Sequence, residues 1–296
     1  PFYKDGRTAT VSVRRDRESG YLTLATNGKP DASMDPFWED SSVAAGELHA
    51  LAEDQATQIL LPLIGLAHVP DAQEVAVIGQ GSGMTSNLLL GSPEVKQVVT
   101  VEIEPRMVDA SRAFRPANRL VFDDPRSHIV IDDAKAYFAS TGRKFDLIIS
   151  EPSNPWITGV SNLFIVDYWK LARSRLADDG VFCQWAQLYE MSSKNIKVIL
   201  KSFAQVFPYT YVFSAEDLSS DVILVATNHP LKLDVHALSA SFADETLRKE
   251  LKRGGVESAE DIISYLLLTP DEIPAFTAGS PLNTDDDAII EFGAPR

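Results

Sequence analysis

The sequence predicts an α/β protein built around a mostly parallel, seven-stranded sheet that ends in an antiparallel hairpin at one edge. After Pro70, short apolar runs alternate with helix-like stretches, which is typical of a parallel sheet covered on both faces. The last two runs are joined by a short polar loop, which indicates a hairpin. β-Rich runs precede this region, and a polar, helical stretch follows it. We therefore predict a β-hairpin region over 1–46, an α/β domain over 47–230 and a helical extension over 231–296.

The first elements are predicted from alternation and turn signals. The runs TATVSV (8–13) and YLTLAT (21–26) resemble β-strands, and the NGK that follows them predicts a turn. Residues 31–42 have no regular pattern and are expected to be irregular. Over 47–67 the apolar positions recur at helical spacing, and Pro62 is expected to kink or break that helix.

The α/β region contains the seven predicted strands and the helices that connect them. The strands are EVAVIG (74–79), QVVTVE (97–102), SHIVI (127–131), FDLIIS (145–150), GVFCQW (180–185), TYVFS (210–214) and DVILVA (221–226). The helices are expected near 84–90, 105–114, 133–140, 164–176 and 192–206.

Composition narrows the classes of function. Hydrophobic residues make up 45% of the chain and charged residues 23%, as in ordinary globular proteins, and no apolar run approaches a membrane span. The net charge of −15 argues against binding a nucleic-acid backbone and suits a small cationic partner, although it also serves simple solubility. The single cysteine, Cys183, excludes a disulfide framework and favours a cytosolic setting. The five histidines are scattered without metal-ligand spacing, so we expect no metal site.

A glycine-rich turn and an acid mark a predicted nucleoside site. The first α/β strand runs into GQGSG (79–83) and then a helix, where glycines let the backbone approach a ligand closely. The next strand ends in Glu102, whose carboxylate would reach a ribose diol across the crevice between the two strands. The spacing is G-x-G-x-G rather than the G-x-G-x-x-G of nicotinamide enzymes. A nicotinamide-dependent dehydrogenase is therefore the least favoured of the candidate functions. On its own, such a turn can also serve only helix–strand packing.

Two further strands end in acids at the same predicted edge. Asp133 opens a helix after the third strand, where it can cap the helix, accept a hydrogen bond from an adenine amino group, or do both. The fourth strand stops at Glu151, in the stiff segment EPSNPW (151–156). A lone acid at a strand end is usually only solvated. Three acids in register with a glycine turn indicate a ligand crevice at the carboxyl ends of the strands.

These motifs together resemble the spermidine synthase (polyamine aminopropyltransferase) family. The resemblance rests on VIGQGSG, TVEIEP, the FDDPR…IDDA segment, FDLIISEPSNPWITGVSNLF and GVFCQW, and it covers roughly residues 50–228. It implies a Rossmann-like fold of the AdoMet-dependent methyltransferase type and transfer of an aminopropyl group from decarboxylated S-adenosylmethionine to an amine. The donor is then a co-substrate, with no permanently bound cofactor and no metal.

The resemblance also assigns roles to individual residues. Glu151 is the candidate catalytic residue, because it stands where the family has the aspartate that orients and deprotonates the attacking amine. Glutamate is one methylene longer, so the acceptor is expected to sit further away or to differ. The candidate acceptor-binding residues are Gln58, Asn154 and Tyr189. The candidate donor-binding residues are Gly79, Gln80, Gly81, Ser82, Gly83, Glu102, Ile103, Asp133 and Ala134.

The resemblance further implies a small cationic amine as partner, a homo-oligomer and a cytoplasmic protein. The chain is most similar to bacterial spermidine-synthase-like domains, which are often fused to membrane segments. Because the chain opens on Pro1 rather than Met, we expect it to be a piece of a longer chain, such as the cytosolic domain of a membrane-fused protein.

Several positions depart from the family pattern. Ser82 stands where family members usually have Asp, and Asn154 stands at the second acid of the loop after the fourth strand. Thr57 replaces a tyrosine expected beside Gln58, and AEDLSSD (215–221) replaces a tyrosine-bearing loop. The first two changes remove negative charge near the donor tail and the acceptor amine, which favours a donor that keeps its carboxylate.

Three hypotheses therefore remain open from the sequence. The first is an aminopropyltransferase. The second is a methyltransferase that uses S-adenosylmethionine itself, which Ser82 and Asn154 favour. The third is a non-catalytic domain that binds a nucleoside or polyamine and reports it to a fused partner, which the missing tyrosines favour.

Overall fold

The protein is described by a computed structural model that covers residues 2–35, 54–155, 159–215, 221–231, 235–239 and 244–293. The strands are β1 (Phe2–Asp5), β2 (Thr10–Arg15), β3 (Leu22–Thr26), β4 (Lys29–Met34), β5 (Glu74–Ile78), β6 (Gln97–Glu102), β7 (Ser127–Ile131), β8 (Phe145–Ser150), β9 (Leu176–Gln187), β10 (Tyr209–Ser214), β11 (Asp221–Thr227) and β12 (Leu266–Leu268). The helices are α1 (Gln55–His68), α2 (Met84–Leu90), α3 (Pro105–Ser111), α4 (Arg119–Asp123), α5 (Ala134–Ser140), α6 (Val166–Arg175), α7 (Ser193–Val206), α8 (Val235–Ser239), α9 (Glu245–Arg253), α10 (Ala259–Ser264) and α11 (Ile273–Phe276).

The N-terminal strands form a sheet of their own. Strands β1 to β4 are antiparallel neighbours in chain order, and the predicted hairpin is confirmed as β2 and β3. The predicted turn also holds, because Asn27 and Gly28 take the left-handed conformation that a tight hairpin requires, with φ of 53° and 84°. The expectation of irregular structure from residue 31 onward is wrong as far as Met34. Pairing with β3 makes this segment a strand in spite of Pro30, and residues 36–42 lie outside the described part.

The main sheet confirms the predicted α/β fold and adds one strand to it. Its eight strands run in the order β12-β10-β11-β9-β8-β5-β6-β7, and the five from β9 to β7 are parallel to one another. Strands β10 and β11 are the predicted antiparallel hairpin. They are not the edge of the sheet, however, because β12 pairs with β10. Sequence patterns miss β12 because three leucines in a polar stretch are too short for a periodic signal.

The strand order reverses at β5, which lies between β6 and β8. The chain winds outward from β5 through β6 and β7 on one side, and through β8 and β9 on the other. In open α/β sheets, ligands bind at the carboxyl ends of the strands on either side of such a reversal. The fold therefore places a crevice at the ends of β5, β6 and β8.

Helix α1 covers the sheet beside this crevice and passes through Pro62 without a break. The predicted break is wrong because every residue from Gln55 to Ala67 is buried. Burial on this scale outweighs the roughly 3 kcal/mol that an interior proline costs a helix. The stretch 47–53 of the predicted helix lies outside the described residues. No helix among the residues that the structure describes combines the length and apolar character needed to cross a bilayer.

Candidate active site

A cavity of about 1260 Å³ opens at the carboxyl ends of β5, β6 and β8, and the N-terminal sheet forms its opposite wall. The structure places all the residues predicted for the site in the lining of this cavity except Gly83. Gly83 instead begins α2 in the left-handed conformation, with φ of 82°. The predicted residues therefore come together in space, while the role of each stays a prediction.

The glycine turn joins the ends of three strands. The Gly79 amide donates to the Val101 carbonyl of β6, 2.9 Å away, and the Glu151 amide donates to the Ile78 carbonyl at 3.0 Å. Gly79 has φ of 99°, and a β-carbon there would lie 2.7 Å from the Glu151 carbonyl oxygen. Only glycine allows this approach, so the turn and the start of the loop after β8 are built as one unit.

Glu102 presents a buried carboxylate at the tip of β6. Its two oxygens accept hydrogen bonds from the backbone amides of Gln80, at 2.8 Å, and Glu104, at 2.7 Å. These bonds fix the orientation of the carboxylate toward the glycine turn. Burial raises the pKa of Glu102 to about 7, against the lowering effect of the two amides. Each oxygen keeps a second lone pair for a ligand hydroxyl.

The next side chains along this wall differ in polarity. Ile103 is 49% exposed although it is apolar, and it lies at the cavity wall. Asp133 caps α5 by accepting a hydrogen bond from the Ala136 amide at 2.9 Å, so the capping role foreseen for it is confirmed. The neighbouring Ala134 is buried at the first position of that helix. This wall of the cavity therefore presents apolar side chains beside a carboxylate.

Glu151 follows the end of β8, which is separated from β6 by β5 in the sheet. The Thr85 hydroxyl donates to its Oε2 at 2.6 Å. Burial, with smaller contributions from the nearby carboxylates of Asp54 and Asp221, raises the pKa of Glu151 to about 7, against the lowering effect of the Thr85 hydrogen bond. A carboxyl group with a pKa near neutrality can both accept and release a proton at physiological pH.

Besides Glu104 and Asp132, which lie next to predicted residues, three acids of the cavity were not found from the sequence. Asp31 comes from β4, Asp54 precedes α1, and Asp221 begins β11. The Asp54 carboxylate accepts from the Ser33 amide at 2.5 Å, and Asp221 accepts from the Thr57 hydroxyl at 3.3 Å. None of the three stands in a motif, because distant parts of the chain bring them together. The only sequence signal was the strong negative net charge.

The candidate acceptor-binding residues have different surroundings. The Gln58 amide nitrogen donates to the Ser33 carbonyl at 3.0 Å, and its Oε1 accepts from the Ser82 hydroxyl at 2.5 Å. Gln58 therefore ties the N-terminal sheet to the glycine turn. Asn154 is buried, and Tyr189 is 39% exposed after the end of β9. Burial, with Asp221 the first of several acids around it, raises the pKa of Tyr189 to about 12.

One group of side chains away from the cavity has the spacing of metal ligands. Among the described residues, Asp178, Asp179 and His229 each offer a ligand atom within 4.8 Å of the others. All three are exposed, and none of them lines the cavity. Asp178 and Asp179 lie near the start of β9, and His229 follows the end of β11 that pairs with this part of β9, at the opposite end of the sheet from Glu151. The cluster has no part in the site described above.

The fold and the cavity define an α/β protein with a ligand site at the reversal point of its sheet, and comparison with known proteins gives the family. The family model described as "Spermine/spermidine synthase domain" matches residues 55–229. The chain therefore belongs to this family, which confirms the family that its motifs indicate.

Individual relatives agree with this assignment. The chain is 27% identical over 168 residues to a polyamine aminopropyltransferase of Thermococcus onnurineus, covering 57% of this chain and 59% of the relative. It is 29% identical over 188 residues to one of Pyrobaculum calidifontis, covering 62% and 65%. It thus spans less than two thirds of either relative. A spermidine synthase solved in complex with the transition state analogue AdoDATO has the same fold, with a TM-score of 0.72 at 18% identity over 93% of this chain and 87% of that one.

Proposed function

We propose that this protein transfers an aminopropyl group from decarboxylated S-adenosylmethionine to an amine, as the names of its relatives suggest. The observation that carries the proposal is Glu151. It is a carboxyl group whose pKa is raised to about 7, and it lies in one cavity with the oriented carboxylate of Glu102. The first group has the chemistry of a base, and the second has the chemistry of a nucleoside anchor.

The nucleoside half of the donor fits the wall formed by β6 and β7. The oriented Glu102 carboxylate would accept hydrogen bonds from the two ribose hydroxyls. Ile103 would pack against the adenine ring, because an apolar side chain left 49% exposed gains from being covered. Asp133, with one oxygen engaged by the helix, has a second for the adenine amino group.

The transfer itself is an in-line substitution at carbon. The amine nitrogen attacks the propyl carbon bonded to the sulfonium, so that an N–C bond forms and the C–S bond breaks. The bonding electrons return to sulfur, which leaves as a neutral thioether, methylthioadenosine. The nitrogen loses one proton, and in this proposal Glu151 accepts it. An aliphatic amine has a pKa of about 10 and is protonated at neutral pH, so this proton must leave before the lone pair can attack.

The acids around Glu151 support a cationic acceptor. Asp54 and Asp221 raise the pKa of Glu151 by their negative charge, which makes it a stronger base. The same charges would attract an ammonium ion, because opposite charges interact strongly in a partly desolvated cavity. A neutral alcohol or thiol would gain nothing from this arrangement.

A methyltransferase is the second candidate, and one contact favours it. The Ser82 hydroxyl is bonded to Gln58 at 2.5 Å, so the glycine turn carries no negative charge where the donor tail would end. A neutral turn suits the carboxylate that intact S-adenosylmethionine keeps.

If the glycine turn determines which donor binds more tightly, Ser82→Asp should shift the ratio of the two donor affinities toward the decarboxylated donor. One opposite-charge contact near 4 Å is on the order of 4 kcal/mol at a dielectric of 20. An unchanged or reversed ratio would place the donor tail elsewhere.

Calorimetric titration of three ligands separates the candidate functions. S-adenosylmethionine, its decarboxylated form and methylthioadenosine are titrated side by side into the same preparation. Binding of the decarboxylated donor alone, with transfer to a diamine, supports the aminopropyltransferase. Preference for the intact donor supports the methyltransferase. Binding without transfer to any amine supports a non-catalytic domain and contradicts the proposal.

A further inference from the structure

The turn between β1 and β2, at residues 6–9, is folded around the carboxylate of Glu104. The Gly6 amide donates to the Ala9 carbonyl at 2.9 Å, which closes the turn. Oε2 of Glu104 accepts from the Thr8 amide at 2.7 Å and from the Thr8 hydroxyl at 2.9 Å. A β-carbon on Gly6 would lie 2.2 Å from Oε1 of Glu104. Glycine is therefore required at position 6 by its contact with this carboxylate.

The other groups of Glu104 contact the main sheet and the helix that follows it. Oε1 of Glu104 accepts from the Arg106 amide at 2.9 Å and so caps α3. The Glu104 amide donates to Oε1 of Glu102 at 2.7 Å. Burial acts to raise the pKa of Glu104, but the hydrogen bonds from the turn and from α3 together lower it. Because Glu104 is buried and ionised at neutral pH, it depends on these donors and holds them in place.

We propose that Glu104 is a positioning residue that couples the N-terminal sheet to nucleoside binding at Glu102. Its carboxylate is bonded to the turn at residues 6–9, and its amide sets the direction of the Glu102 carboxylate. Both contacts belong to one residue, so a displaced turn moves the amide relative to Glu102. A ribose should then bind less tightly although Glu102 itself is unchanged.

This inference rests on the nucleoside half of the proposed function and extends it to the N-terminal sheet. Coupling between two positions is reciprocal. A nucleoside that fixes the Glu102 carboxylate should therefore also stabilise the turn. We expect methylthioadenosine to slow hydrogen exchange at the Thr8 amide by about fivefold or more, the lower end of typical coupling.

Paired substitutions at Thr8 test the coupling through binding. Thr8→Val keeps the shape and removes the hydroxyl bond to Glu104, whereas Thr8→Ser keeps this bond and removes a methyl group. Gly6→Ala displaces the carboxylate from outside the cavity, since Gly6 does not line it. The matched control is Thr10→Val, which removes the exposed bond from Thr10 to Asp5 on the same sheet.

The probes are methylthioadenosine and its analogue without the two ribose hydroxyls, titrated by calorimetry at a temperature where every variant is folded. We expect Thr8→Val and Gly6→Ala to weaken methylthioadenosine binding by about 3- to 30-fold, part or all of the effect of one hydrogen bond to a charged group. Binding of the analogue should change by less than about twofold, because it brings no hydroxyl to Glu102. Thr8→Ser and Thr10→Val should match the parent for both probes.

A double substitution tests the contact between Gly6 and Glu104 directly. Glu104→Ala should itself weaken methylthioadenosine binding, because it releases the turn. In this background Gly6→Ala should add less than about twofold, since the carboxylate that it displaces is gone.

Three results would overturn the inference. The first is binding of methylthioadenosine by Thr8→Val and Gly6→Ala that equals binding by Thr10→Val. The second is an equal loss for both probes, or a loss in Thr8→Ser as large as in Thr8→Val, which would make the turn a support of the cavity wall without a link to Glu102. The third is hydrogen exchange at the Thr8 amide that does not respond to the nucleoside.

These outcomes are separable from those of the proposed function. If the parent transfers an aminopropyl group and any of the three results is found, the proposed function stands and the coupling fails. If the expected pattern of binding is found in a protein that transfers no aminopropyl group, the coupling stands and the proposed function fails. A parent that does not bind methylthioadenosine contradicts both.

Discussion

At the scale of single residues, a substitution at Glu151 can separate the effect of its charge from the effect of its shape and position. Replacing Glu151 with Gln keeps the shape of the side chain and an oxygen that can accept from the Thr85 hydroxyl. It removes the negative charge and the ability to take a proton. A positioned general base contributes about 10²- to 10⁴-fold to a rate, so we expect Glu151→Gln to lose that much in single-turnover transfer while donor affinity stays within about twofold.

The alternative for Glu151 is a purely architectural role in the proline-rich loop. In that case Glu151→Gln would lower thermal stability and donor affinity together, and the transfer rate would follow them. Glu151→Asp is the matched variant, because it keeps the charge and withdraws the carboxylate by one methylene. It should keep part of the activity if proton transfer is the role. A Gln variant that turns over normally would exclude Glu151 as the base.

Glu102 is the second residue with a sharp expectation. Its carboxylate is fixed by two backbone amides and buried, so any ribose hydroxyl that reaches it finds an oriented acceptor. Glu102→Ala should weaken methylthioadenosine binding by about 1.5–3 kcal/mol, the scale of hydrogen bonds to a charged group. Glu94→Ala is the control, since Glu94 is exposed and outside the cavity. Equal affinities of the two variants in calorimetry would mean that the nucleoside lies elsewhere.

At the scale of elements, the glycine turn after β5 locks three strand ends together. A methyl group on Gly79 would meet the Glu151 carbonyl at 2.7 Å, and it would also be strained by the φ of 99°. We expect Gly79→Ala to lower the free energy of unfolding by about 1–3 kcal/mol or more. Gly79→Ala should also weaken donor binding and slow transfer, because a shift of the turn would shift Glu151 as well.

Two other glycines are controls for this prediction. At Gly81 a β-carbon would have free space although φ is 46°, so Gly81→Ala reports backbone strain alone. At Gly142 a β-carbon would meet nothing within 4 Å, and φ is not in the left-handed region, so Gly142→Ala should be neutral. Chemical denaturation of the three variants would separate strain from steric contact, and calorimetry would compare donor binding by Gly79→Ala and Gly142→Ala, because Gly81 itself lines the cavity. A Gly79 variant no worse than the Gly81 variant would contradict the role of the contact.

The strands could be predicted from the sequence where both faces of the strand are buried. Strand β8, FDLIIS, is apolar at four of its six positions and buried at five, because helices cover both sides of the parallel sheet. Strand β4 was missed because Lys29, Pro30 and Asp31 are poor strand formers, and the neighbouring strand decides their conformation. Pro62 was misjudged for a related reason, since local propensity says nothing about how deeply a helix is buried.

The acids of the candidate site also fall into those that the sequence predicts and those that it does not. Glu102, Asp133 and Glu151 were found because each ends a strand or opens a helix of a parallel sheet, and one rule of topology places them at one edge. Asp31, Asp54 and Asp221 reach the cavity from the N-terminal sheet, from the start of α1 and from β11. Their arrangement depends on how separate elements dock, which no spacing within the chain encodes.

At the scale of the whole molecule, the cavity exists because two sheets are joined at its rim. The Glu104 carboxylate, which follows Glu102 in the chain, accepts from both the amide and the hydroxyl of Thr8 at 2.7 and 2.9 Å. Its own amide donates to Glu102. Glu104 therefore both contacts the N-terminal sheet and helps to orient the Glu102 carboxylate. A protein that encloses several carboxylates in this way stores unfavourable charge in its folded state.

The stored charge leads to a pH dependence of stability with a defined sign. Burial raises the pKa of Glu102 and of Glu151 from 4.5 to about 7, so the folded state binds protons more tightly than the unfolded state between these values. The free energy of unfolding should therefore fall as pH rises from about 4.5 to about 7, with no further loss from these groups above that range.

Glu151→Gln removes one of the two contributions to this pH dependence. Relative to the parent it should gain about 1–3 kcal/mol between pH 5 and pH 8, at about 1.4 kcal/mol per pKa unit with allowance for water in the cavity. Denaturant unfolding of both proteins at the two pH values measures this difference, with Glu94→Gln as the exposed control. A difference that stays constant with pH, or that grows toward acid, would mean that Glu151 is not held in its protonated form by the fold.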